Sequence, residues 1–92
     1  MFVGKVRVEL HIPAARSLKD KRQVVRALKD RLLAMHAAVA EVDHQDLRQR
    51  AAFGIAVVSG ESGQVREQLD RARRLFDQEF AAQVTDWQET IE

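Results

Sequence analysis

Between Lys5 and Ile12 the chain alternates without a break: Val6, Val8, Leu10 and Ile12 are apolar, and Lys5, Arg7, Glu9 and His11 between them are polar. A period of two sends successive side chains to opposite sides of an extended strand, so one face is buried and the other meets water. Pro13 has no N–H to give to a ladder and ends the segment. A chain that opens this way is committed to a sheet with one covered face, and the remaining residues must supply both partners and cover.

The cover comes next. Ser17 is a good helix N-cap, and Asp20 three residues on completes an imperfect capping box. At 100° per residue a helix over 18–35 gathers Leu18, Val24, Val25, Leu28, Leu32 and Met35 on one stripe. Lys19, Arg22, Arg26 and Lys29 form a second stripe beside it, and Asp20, Gln23 and Asp30 lie toward solvent. Lys21 falls on the apolar stripe. A lysine there is expected to make a structural ion pair with an acid such as Glu41, Asp43 or Asp46.

Beyond His36, residues 39–43 read as a short strand and the polar 44–50 as a hairpin connection. Residues 51–59 are almost wholly apolar and rich in β-branched side chains, the pattern of a central strand covered on both faces. The turn cluster 59–63 precedes a second helix over 64–80, with Val65, Leu69, Ala72, Phe76 and Phe80 on one face. Alternation over 84–91 suggests a last strand. The order β-α-β-β-α-β, closed by two right-handed split units, is a ferredoxin-like α+β sandwich: a four-stranded antiparallel sheet with both helices on one face, the first and third strands central.

The chain has 92 residues, 46% hydrophobic and 32% charged, which is enough for one domain with one modest core. Ala51–Val58, the longest stretch free of strongly polar residues, is far too short to cross a membrane. The start has no apolar signal region and there is no Cys, so a cytoplasmic protein is expected.

Two segments have no generic cause. Leu10-His11-Ile12-Pro13 followed by Ser17-Leu18-Lys19-Asp20-Lys21-Arg22, and then Ala40-Glu41-Val42-Asp43-His44-Gln45-Asp46-Leu47, resemble the YlxP-like family of small bacterial proteins. The resemblance spans the whole chain and implies a ferredoxin-like fold and a cytoplasmic bacterial protein. It also implies an RNA or ribosome context, since relatives are often encoded beside translation-initiation and ribosome-maturation genes. It brings no established activity and no agreed site residues. The family often has Trp after the position of Leu47, where this chain has Arg48.

Charge is unevenly spread. Residues 1–36 hold nine Lys/Arg against three Asp/Glu, and residues 37–92 hold six against eleven. The basic stripe Lys19, Arg22, Arg26 and Lys29 covers roughly 15 Å of helix at 1.5 Å per residue, long enough to track several phosphates. Arg16, Ser17 and the free N–H groups of the first turn would add an anion cradle. RNA or a ribosomal particle is the partner this suggests, with a solvated helix face as the plain alternative.

Enzyme signatures are missing. There is no phosphate-binding G-x-x-x-x-G-K-[ST] loop, no G-x-G-x-x-G and no nucleophile elbow, so no catalytic residue and no cofactor are expected. Acylphosphatases share the fold, but their Gly-rich first loop has no match in Pro13-Ala14-Ala15-Arg16. RNA-recognition domains share it too, but they stack bases on sheet aromatics, which this first strand lacks. Asp43, His44 and Asp46 are weak metal candidates, because one tight cluster lacks a second ligand pair and such residues also make turns. Finally, the third strand is apolar on both sides, so the sheet face without helices needs a cover. A homodimer or higher oligomer is expected: the row Ala52, Gly54, Ala56 and Val58 is flat enough for another sheet or chain to approach, and Phe53, Ile55, Val57, Trp87 and Ile91 are also named for the interface. Docking of a different partner there is the second reading, and an enzyme the third.

Overall fold

Both edges of the alternating segment, β1 (Phe2–His11), are hydrogen-bonded in a computed structural model of residues 1–92. On one side lies β3 (Arg50–Ser59), antiparallel, with Val6 opposite Ile55 and Val8 opposite Phe53. On the other lies β4 (Gln83–Ile91), also antiparallel, with Val8 opposite Trp87. The outer edge of β3 carries β2 (Ala38–Asp43), giving the sheet order β2-β3-β1-β4. With α1 (Leu18–Ala34) and α2 (Ser62–Asp77) the order is β-α-β-β-α-β, a ferredoxin-like α+β fold.

Both helices press on the same face. Val25, Leu28 and Leu32 of α1 and Val65, Leu69, Ala72 and Phe76 of α2 join Val6, Val8, Leu10, Phe53, Ile55 and Val57 in one core. Helix α1 lies over β2, and α2 crosses β1, β3 and β4. The aromatic part of the core is a chain of three rings. Phe53 and Phe76 have centroids 6.1 Å apart, and Trp87 meets Phe76 edge-on at 5.8 Å. Such pairs add about 0.5–1.5 kcal/mol each beyond the area they bury. Gly4 sits where α2 comes closest: a Cβ there would lie 2.6 Å from Val65 Cγ1 and 3.0 Å from Leu69 Cδ1.

Two expectations are corrected by this arrangement. The second helix ends at Asp77 rather than 80, and Phe80, expected on its apolar face, is fully exposed. The expected interface set lies on the wrong side of the sheet. Phe53, Ile55 and Val57 are at most 3% exposed beneath the helices. Trp87 packs on Phe76, and Ile91 packs half-buried against the same core. The two rows of β3 are both apolar, and it is the larger side chains that go under the helices. The open face therefore carries the small row, Ala52, Gly54, Ala56 and Val58.

Candidate nucleic-acid interface

Helix α1 starts where the sequence places it. Ser17 is extended, and its Oγ accepts a hydrogen bond from Asp20 N at 3.1 Å. The Asp20 carboxylate reaches back to the Arg16 N–H at 2.9 Å. These two bonds overturn part of the expected anion cradle. A carboxylate of the chain itself already sits at the positive end of the helix, and Ser17 is occupied as its cap. What remains for a ligand is the backbone N–H groups of Leu18 and Lys19, for which these bonds supply no acceptor, and the exposed side chain of Arg16.

The basic stripe is intact and faces outward. Arg31 marks the flank of α1 toward α2, because it lies 3.7 Å from Glu79 and shares a depression with Arg71 and Arg74. Arg22, Arg26 and Lys29 fall on the opposite flank, with Lys19 continuing the row toward the start of the helix. Arg16, Lys19, Arg22 and Arg26 are exposed and Lys29 is half-buried. The cations in ion pairs are Lys5, Arg7, Lys21, Arg31, Arg50, Arg66 and Arg73, with His44 as a further partner. Neither Arg16 nor any of the four residues of the stripe is among them. The lopsided charge of the sequence is only partly a division in space, however. Arg71 and Arg74 on α2 are also unpaired and exposed, so the helix layer is basic beyond α1.

Lys21 is 1% exposed and its ammonium is enclosed by oxygens. Nζ donates to Glu41 Oε2 at 3.2 Å, to His44 O at 2.7 Å, to Gln45 O at 3.2 Å and to Arg50 O at 3.3 Å. Of the three acids expected to pair with it, Glu41 is the partner. The remaining contacts fasten the first turn of α1 to the 44–50 hairpin. Gln49 adds to the junction: its Nε2 donates to Pro13 O and Ala15 O, and its backbone carbonyl accepts from Ile12 N. Arg48, across the same junction, donates to Arg16 O at 3.4 Å. The sequence gives no sign of these carbonyl contacts, though antiparallel pairing of the third strand with the first brings 48–50 beside 11–13.

The open face divides in two. At the hairpin end Ala52 is covered by a polar network centred on Glu9, which accepts from Arg7 Nη1 at 2.7 Å and His44 Nε2 at 2.9 Å and lies 3.4 Å from Arg50 Nη2. The Arg7 hydrogen bond, followed by the charges of His44 and Arg7, holds the Glu9 carboxyl below the ordinary glutamate range. Asp43 accepts from Arg7 and from the backbone N–H of His44. The His44 Nδ1 lies 3.7 Å from Asp43 Oδ1, and no group of three or more His, Cys, Asp or Glu converges where a metal ion would be held. Toward the other end Ala38, Ala40, Val42, Gly54 and Ala56 line an open apolar depression of about 710 Å³. A bulge in β2 brings Val42 across Gly54, where a Cβ would stand 3.0 Å from Val42 Cγ1. Val42 and Val58 are 48% and 60% exposed, so this half of the face shows an apolar strip along β2 and β3, bordered by Lys5, Arg7, Gln88 and Thr90 of β1 and β4.

Fold and surface together define a small α+β sandwich with a basic helix flank. Residues 3–89 match the family described as "Protein of unknown function (DUF503)", and the chain belongs to that family. It is 34% identical over 77 residues to "Uncharacterized protein YlxP" of Bacillus subtilis (strain 168), covering 83% of this chain and 84% of the relative. No helix is long and apolar enough to cross a membrane.

Proposed function

We propose that this protein is a non-enzymatic, self-associating domain that grips the phosphate backbone of RNA along the outer flank of α1. The observation that carries the reading is the row Arg16, Lys19, Arg22, Arg26 and Lys29, which finds no counter-ion within the molecule while seven other Lys and Arg side chains do. Cations held together and left unneutralised release condensed counter-ions when they meet a polyanion. Engaging five phosphates of a single strand gives a slope of log affinity against log salt of about −3.5, at about −0.7 per contact. Charge reversal at Arg22 and Arg26 should abolish binding of a generic RNA. RNA affinity indifferent to salt and to this double variant would refute the reading and put a protein-docking module first.

Self-association is favoured by a separate observation, the uncovered Gly54, Ala56 and Val58 row with Ala38, Ala40 and Val42 beside it. Small residues let a second sheet approach closely, and burying this patch removes apolar area from water. Light scattering should find a dimer or larger species at micromolar concentration, and Ala56→Arg should dissociate it. A wild-type monomer under those conditions would refute it.

A further inference from the structure

The basic row does not stop at the head of α1. Arg48, exposed and in no ion pair, lies against Arg16 through the hydrogen bond to its carbonyl and so takes up the row on the far side of the junction. Beyond it His11, Leu47, Arg48, Gln49 and Arg50 line a depression of about 310 Å³ that contains no acidic side chain. His11 is paired in register with Arg50, and both share the face of the sheet that carries Glu9 and Ala52, the one opposite the helices. The cations therefore pass from the flank of the helix layer, round the end of the molecule, to the open sheet face. The junction that carries them is fixed by Lys21 and Gln49.

We infer that the hairpin depression is a second phosphate contact of the same RNA path, with Arg48 its principal cation, and that the path takes a single strand and not a duplex. This rests on the reading of α1 as the RNA-binding flank. A single strand has soft backbone torsions and can turn the corner between two layers. A duplex, stiff over far greater lengths, follows one surface and reaches either α1 or the depression. Arg50 shares Glu9 with Arg7 and His44, which leaves Arg48 as the guanidinium free to take a phosphate.

The test measures binding of a short oligouridylate and of an RNA duplex of equal length, by fluorescence anisotropy over a salt series. The proteins compared are the wild type, Arg48→Ala, His11→Ala and Arg22→Ala/Arg26→Ala, each first checked for an unchanged thermal melt. The single strand should bind more tightly than the duplex. Arg48→Ala should weaken the single strand several-fold and lower its salt slope by about 0.7, while changing the duplex little. His11→Ala should weaken the single strand to a smaller degree. An unchanged single-strand affinity and slope in Arg48→Ala, with a clear loss in the helix double variant, would overturn this inference and leave the α1 reading standing. Loss in neither variant would overturn both. Equal binding of duplex and single strand, with equal sensitivity to Arg48→Ala, would overturn the turn round the corner.

Discussion

Replacing Lys21 by methionine keeps most of the volume of the side chain and removes its charge. In the wild type four oxygens surround the ammonium between 2.7 and 3.3 Å: one from Glu41 and the carbonyls of His44, Gln45 and Arg50. The variant strands Glu41, whose side chain is only 20% exposed, and takes a donor from three carbonyls, of which His44 O keeps the Leu47 N–H at 3.0 Å. Breaking a buried pair by removing one partner costs about 3–5 kcal/mol. Partial access of water to Glu41 moves the expectation toward the lower end, about 3 kcal/mol. That is a large share of the roughly 5–15 kcal/mol that holds a domain of this size together. Urea unfolding followed by fluorescence of Trp87, the one tryptophan, should report the loss as a lowered midpoint. Adding Glu41→Leu to Lys21→Met removes the stranded carboxylate and should restore part of the stability, giving a coupling well above the scatter for independent sites. Amide exchange should rise chiefly in 44–50, the segment the ammonium fastens. A loss below about 1 kcal/mol in Lys21→Met, or strict additivity in the double variant, would refute the view that this lysine anchors the hairpin.

The same geometry sets two further outcomes. Gly4→Ala places a methyl group against Val65 and Leu69, and should cost about 1–3 kcal/mol by chemical denaturation, with Val65→Ala in the same chain relieving part of it. Glu9 has its carboxyl held below the ordinary value first by Arg7, so its stabilising contribution is present above about pH 4.3 and is lost as the pH falls through that value toward the lower folded one. Glu9→Gln should therefore be less stable than wild type near neutrality and converge with it on acidification; thermal melts from pH 7 to 3 with a constant gap between the two would contradict this.

Much of this architecture is written in local pattern. The alternation over 5–12, the Ser17 cap and the β-branched run before Ser59 each carry their own physical cause, and the order of elements then leaves few topologies. The misplacements arise where local pattern is symmetric. Both rows of β3 are apolar, so period two alone does not say which row goes under the helices; that is decided by the register, which sets Phe53 opposite Val8. Phe80 continues the series Ala72, Phe76 at helical spacing, yet α2 closes at Asp77 and the periodicity runs past its end. Lys21 is visible as an outlier on an apolar stripe, and Glu41 is among the acids within its reach. Its carbonyl partners are not visible, because a backbone acceptor has no residue type to mark it. The same holds for Arg48, whose link to Arg16 is also to a main-chain oxygen.

The central place of β1 has a consequence for how the chain is made. Its two neighbours are β3 and β4, so the earliest of the four strands to be translated is flanked by the third and the fourth. While synthesis proceeds, the valine-rich face of β1 has no lasting cover until residues 62–77 have emerged, one of its edges stays bare until 50–59 do, and the other until 83–91 do. Pairings that bridge so much intervening sequence are slow to form, and unfinished ones invite neighbouring chains to stick. Nascent copies of this domain should therefore depend heavily on whatever shields the newborn polypeptide.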